Sequence, residues 1–99
     1  MYIKTKDFMT EEDVDIIVEN IIYINKSYAG LQKVIKINFG ENIDGIVSEL
    51  TLEDIQRLTN NYFFELDDNT IYNRNKICYV KHNVIMFTDG WILKSEEIN

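Results

Sequence analysis

Apolar residues between Thr10 and Gly30 recur three and four positions apart, which is the spacing of one face of an α-helix. The stripe consists of Val14, Ile17, Ile21, Ile24 and Tyr28, and Val18 and Ile22 widen it. Thr10 precedes three acidic residues, a pattern typical of a helix N-cap, and Gly30 is a suitable stop. The pattern predicts a first helix across this segment.

Two further apolar residues, Ile16 and Tyr23, fall nearly opposite the centre of that stripe at 100° per residue. Three explanations stay open. The helix could be covered on both sides by its own domain, the two residues could be scattered surface residues, or they could form a contact strip for another copy or another protein.

The middle of the chain predicts a strand, a turn and a second helix. Residues 33–39 favour a strand, and residues 43–50 form either a return strand or an irregular segment. Thr51 and Asp54 repeat the cap pattern and open a helix. Its core face carries Leu52, Ile55, Thr59, Tyr62 and Phe63. The run "NNYFFEL" either extends this helix or begins a strand.

The C-terminal third changes to strands and turns. Asp89-Gly90 lies between apolar runs and is the strongest hairpin signal, since a two-residue type I′ turn needs positive φ at both positions. His82-Asn83 and residues 73–75 are weaker turn candidates. Together they predict a β-meander with strands at 70–73, 76–81, 84–88 and 91–95.

A two-residue turn at Asp89-Gly90 fixes which meander residues share a face. One face would carry Cys78, Val80, Ile85, Phe87 and Ile92, and the other Ile77, Tyr79, Val84, Met86, Trp91 and Leu93. Both faces are apolar. We expect the helices to lie on one face and part of the aromatic side, with Tyr79, Met86 and Trp91, to bind a partner.

These elements predict an α+β fold: residues 1–99 form a single compact domain with two helices packed on an antiparallel sheet that includes a C-terminal β-meander. The chain has 99 residues and is 45% hydrophobic, which suits one core.

Charge and composition narrow the classes of function. Seventeen acidic against ten basic residues give a net charge of -7, which opposes direct binding to nucleic acid. No apolar run is long enough to span a membrane, and the start of the chain lacks a signal-peptide pattern, so we expect a cytoplasmic protein. Sixteen isoleucines, eleven asparagines and no proline resemble the usage of an AT-rich genome, which hints at a low-GC bacterium or its phage.

Candidate chemistry is sparse. Cys78 and His82 lie four positions apart and could pair as thiol and imidazole, but a core cysteine and a turn histidine explain them better. Residues 67–78 resemble a calcium loop but have Tyr72 and Cys78 where glycine and glutamate are needed. We therefore expect no enzymatic activity, no metal and no cofactor.

Acidic residues form three clusters: Glu12, Asp15 and Glu19 on the predicted first helix, "ELDD" at residues 65–68 and "SEE" at residues 95–97. They serve either solubility or, by standing in for phosphates, binding to a nucleic-acid enzyme. The expected function is a protein-binding module, an inhibitor or accessory factor encoded by a phage or mobile element. The alternatives are a homodimeric structural or assembly component and a small-molecule-binding or thiol-enzyme domain.

Overall fold

The computed structural model describes residues 1–94, which form ten strands, one α-helix and two short 3-10 turns. The strands are β1 (Tyr2–Lys6), β2 (Asp13–Ile17), β3 (Tyr23–Ala29), β4 (Gln32–Asn38), β5 (Ile46–Ser48), β6 (Phe64–Asp67), β7 (Thr70–Tyr72), β8 (Ile77–Lys81), β9 (Val84–Phe87) and β10 (Ile92–Lys94). The helix α1 spans Leu52–Leu58, and the 3-10 turns span Val18–Asn20 and Arg74–Lys76. The predicted α+β class with two helices is wrong, because the protein is mostly β.

The strands form three antiparallel sheets. β1 and β2 make a hairpin, β8, β9 and β10 make a three-stranded meander, and the central sheet has the order β5-β4-β3-β7-β6. Within residues 1–94, no helix is long and apolar enough to cross a membrane.

The segment predicted as the first helix consists of β2, a 3-10 turn and β3. Seven of the sixteen residues from Asp13 to Tyr28 are valine or isoleucine, whose branched side chains favour strands over helices. The helix prediction failed because this segment contains so many apolar residues that some of them have helical spacing by chance. Gly30 does not end a helix: with φ of +64°, it is the first residue of the two-residue turn joining β3 and β4.

The second helix is confirmed in a shorter form. Thr51 caps it by accepting a hydrogen bond from the Asp54 N–H at 3.0 Å, and the Asp54 carboxylate accepts one from the Thr51 N–H at 2.9 Å. Helix α1 ends before Asn60 and Asn61, which both have positive φ. The run "NNYFFEL" therefore leads into a strand, β6.

Two hydrophobic clusters cover opposite faces of the central sheet. Neighbouring residues Ile24 and Tyr23 of β3 point to opposite faces. Ile24 belongs to the larger cluster, to which the β1–β2 hairpin contributes Ile3 and Ile16 and helix α1 contributes Leu52 and Ile55. Tyr23 packs on the smaller cluster, whose buried members are Ile22, Ile85 and Phe87. The meander thus covers the sheet face opposite the helix.

The predicted meander is confirmed for three of its four strands. The fourth, residues 70–73, corresponds to β7, which pairs with β3 and β6 in the central sheet and not with β8. The 3-10 turn at Arg74–Lys76 carries the chain from one sheet to the other. The strand predicted for residues 33–39 is β4, and residues 46–48 form a short return strand beside it.

Candidate functional site

The loop between β9 and β10 determines which side chains the meander exposes. Phe87 donates its N–H to the Trp91 carbonyl at 2.8 Å, and Gly90 donates to the Phe87 carbonyl at 3.0 Å. The loop therefore has three residues, Thr88 to Gly90, with Gly90 at φ of +95°. The prediction of a two-residue turn is wrong, and the strand partners shift by one position.

A shift of one position moves every side chain of a strand to its other face. Trp91 and Leu93 pack with Ile85 and Phe87 against the central sheet. Ile92 lies opposite Met86 and points outward. The predicted division of faces is therefore wrong for β10, and Trp91 does not share a surface with Tyr79 and Met86.

A second irregularity, at Cys78, places Tyr79 on that outward face. The pairing of β8 with β9 shifts between Ile77 and Tyr79, so that Ile77 faces Phe87 while Tyr79 faces Met86. The bulge allows Ile77 to pack inward and the nearby Tyr79 to remain exposed.

Tyr79, Met86 and Ile92 lie side by side across the three strands, and we call them the outer row. Tyr79 is 49% exposed and Ile92 is 50% exposed, and Met86 is half-buried. The next row on the same face is Lys81, Val84 and Lys94. The outer face of the meander is thus an apolar row bordered by two lysines.

Trp91 and Tyr23 hold the meander on the body of the protein. Their rings meet edge to face with centroids 5.4 Å apart. Burial raises the pKa of the Tyr23 hydroxyl. The indole Nε1 of Trp91 is buried and has no hydrogen-bond partner in residues 1–94. Gly40, at φ of +114°, lies beside this loop, where a Cβ would collide with the Asp89 carboxylate.

The predicted strip of Ile16 and Tyr23 does not exist as a surface. Ile16 is 2% exposed, lies opposite Ile3 in the hairpin and belongs to the larger core cluster. Tyr23 packs on the meander from another sheet. The two residues lie on different strands, and the strip was an artefact of the helical interpretation.

Glu12, Asp15 and Glu19 are exposed, as predicted, but two of their charges are balanced locally. Asp15 lies 3.6 Å from the Lys4 ammonium, its partner across the hairpin. Glu19 accepts a hydrogen bond from the Met1 amine at 3.1 Å, and this bond lowers the pKa of the Glu19 carboxyl. The "SEE" cluster lies outside the described residues.

Four other carboxylates line an open groove beside α1. Glu53 from the helix and Glu65, Asp67 and Asp68 from β6 and the following turn surround it, together with Lys26 and Arg57. Sequence reasoning recognised the "ELDD" half of this group. It missed Glu53, because only the fold brings the helix beside β6.

Cys78 and His82 do not form a catalytic pair in the structure. Cys78 is exposed in β8, and His82 is the first residue of the β8–β9 turn, with φ of 51°. No hydrogen bond joins the two side chains within residues 1–94. The described part of the chain also contains no group of three or more His, Cys, Asp or Glu residues that could hold a metal ion.

Sequence reasoning identified Tyr79 and Met86 but missed Ile92, Lys81 and Lys94. The sequence contains the pattern that defines this face: in each of the segments 79–81, 84–86 and 92–94, the first and third residues point outward. To find this face from the sequence, one must know the length of the β9–β10 loop, because that length sets which residues of the two strands are partners. No known protein family matches the chain, and the curated proteins compared with it include no similar sequence.

Proposed function

We propose that the chain is a small acidic protein-binding module that acts in the cytoplasm as an inhibitor or accessory factor of another protein. The observation that carries the proposal is the outer row, in which exposed Tyr79 and Ile92 flank the half-buried Met86 on one sheet face. An apolar group of this kind with a charged border is typical of a protein-binding surface.

The outer row has the composition of an interface centre. Aromatic residues and methionine are enriched at interfaces, because they bury large areas and methionine adapts its shape. Lys81 and Lys94 would form the polar rim. This rim favours a partner surface with carboxylates around an apolar centre.

The acidic side of the molecule supports a second contact. Glu53, Glu65, Asp67 and Asp68 line one groove, and the whole chain carries a net charge of -7. Such a charge steers a protein toward a basic partner, for which a nucleic-acid enzyme of phage or host is our proposed class. In this proposal, these carboxylates replace the predicted cluster of Glu12, Asp15 and Glu19, in which Asp15 and Glu19 are balanced locally.

A matched pair of variants tests the proposal. Ile92→Lys places a charge in the outer row, whereas Ile43→Lys makes the same change at another isoleucine, which is 60% exposed. With the tagged protein as bait in bacterial lysate, we expect Ile92→Lys to reduce recovery of the captured partner about tenfold or more, which corresponds to about 1.4 kcal/mol. Ile43→Lys should capture as the wild type does.

Thermal unfolding of both variants checks that each stays folded. Equal recovery of every captured protein by folded Ile92→Lys and by the wild type would contradict the outer row as the binding surface. Tyr79→Ser is a second variant in the same row and should weaken capture in the same direction.

A further inference from the structure

Strand β8 is an unpaired edge of the meander, because the strand order is β10-β9-β8 and no other strand of residues 1–94 lies beside it. Its first four residues, Ile77 to Val80, are uncharged. The other sheet edges carry more charge or are shorter: β1 carries Lys4 and Lys6, β2 carries Asp13 and Asp15, β6 carries Glu65 and Asp67, and β5 and β10 have three residues each. Short length and charge are common ways to prevent edge pairing. Strand β8 has five residues, as many as any edge strand, and only one charged residue, Lys81.

The hydrogen bonds of β9 show which backbone groups of β8 are free. Thr88 donates its N–H to the Lys76 carbonyl on the β8 side at 2.7 Å, whereas Phe87 donates to Trp91 on the β10 side. Since such groups alternate along a strand, Met86 and Val84 also face β8, where their partners are Tyr79 and Lys81. Val80 lies between these two and directs its N–H and carbonyl to the open edge.

We propose that β8 pairs antiparallel with β8 of a second copy of this chain, about a two-fold axis at Val80. The two Val80 residues would exchange N–H to carbonyl hydrogen bonds, the pattern of a hydrogen-bonded antiparallel pair. A two-fold axis makes such an interface self-complementary and closes the assembly at two copies. Two three-stranded meanders would become one six-stranded sheet.

The side chains are compatible with this register. Tyr79 lies opposite Lys81 of the second copy, so that each ammonium meets an aromatic ring, which is a favourable cation–π pairing. The lysines of the two copies do not face each other. The carboxylates of Asp13, Asp15, Glu65 and Asp67 are on other sheets, so the pairing joins the copies through an edge without acidic side chains.

This inference does not depend on the proposed partner, since the pairing is formed by the backbone edge of β8. Of the outer row, only Tyr79 would also contact the second copy. Pairing would place the two outer rows on the same side of one continuous sheet. A dimer would then present two copies of the binding surface. Ile92→Lys tests that surface, and variants at Val80 test the edge, so the two proposals fail independently.

The first experiment measures solution mass by analytical ultracentrifugation from about 1 μM to about 1 mM. We expect wild type and Val80→Thr to dimerise with rising concentration. Val80→Pro removes one outward N–H and leaves the β8–β9 hydrogen bonds intact, so it should weaken the dimer at least tenfold. A wild type that stays monomeric at 1 mM, or a folded Val80→Pro variant that dimerises as the wild type does, would overturn the proposal.

A cross-link tests the register and does not use proline. Hydrogen-bonded antiparallel partners have Cα atoms about 5.5 Å apart, within the range of a disulfide. The double variant Cys78→Ser/Val80→Cys should therefore form a covalent dimer on mild oxidation. Cys78→Ser/Ile43→Cys is the control, with a thiol at another exposed position: Ile43 is 60% exposed and Val80 is 53% exposed. Equal rates of covalent dimer formation in the two would contradict pairing at Val80.

Discussion

Two threonines with nearly the same local sequence have different roles. Thr10 and Thr51 are each followed by an aspartate three residues later. Thr51 caps α1 with reciprocal hydrogen bonds to Asp54. Thr10 accepts only one long bond, 3.4 Å, from the Glu12 N–H, in the turn before β2. The residues that follow decide the outcome: the first turn of α1 has Leu52, Glu53 and Asp54, while Val14, Ile16 and Ile17 follow Thr10.

The two caps give the first prediction. Thr51→Ala removes the acceptor for the Asp54 N–H and should lower the free energy of unfolding by about 1 kcal/mol. Thr10→Ala, which removes no helix cap, should lower it by less than about 0.5 kcal/mol. Urea denaturation of both variants gives the comparison. Equal losses would indicate that residues 10–30 contain a capped helix after all.

At the scale of elements, β2 is defined by the alternation of its side chains. Ile16 is buried among core residues, and its neighbour Ile17 is 47% exposed. In the predicted helix the roles were reversed, since Ile17 was in the core stripe and Ile16 was on the second face. The two isoleucines therefore distinguish strand from helix.

Aspartate substitutions at these neighbours should have opposite outcomes. Ile16→Asp places a carboxylate in the core and should cost about 4 kcal/mol or more, enough to unfold much of the protein. Ile17→Asp changes an exposed side chain and should lower the free energy of unfolding by about 1 kcal/mol or less. Circular dichroism during thermal unfolding measures both. A greater loss of stability in Ile17→Asp than in Ile16→Asp would contradict the strand and support the predicted helix.

The sequence contained the local signals of the fold but not its register. The Thr51 cap, strand β4 and the three meander strands could be predicted, because each depends on a few neighbouring residues. The turn at His82-Asn83 has positive φ at both positions, as a type I′ turn requires, although it was the weaker candidate. The Asp89-Gly90 loop has one more residue than predicted, and this extra residue places Trp91 on the face that packs against Tyr23. The contact with Tyr23 is distant in sequence and could not be predicted from the residues around the loop.

At the scale of the whole molecule, the meander is a layer on the central sheet with its own charge. Residues 77–94, which form the meander, carry Lys81 and Lys94 but only one acidic residue, Asp89. The remaining acidic residues lie elsewhere in a chain whose net charge is -7. The outer row and the acidic groove can therefore contact partners of different charge.

The outer row depends on the pairing of β9 with β10, so this register is the most direct test of the proposed surface. Nuclear Overhauser effects between backbone protons across the two strands would report it. The structure predicts contacts of Ile92 with Met86 and of Leu93 with Ile85. Contacts of Ile92 with Phe87 would instead indicate a two-residue turn, place Trp91 on the outer face, and contradict the surface formed by Tyr79, Met86 and Ile92.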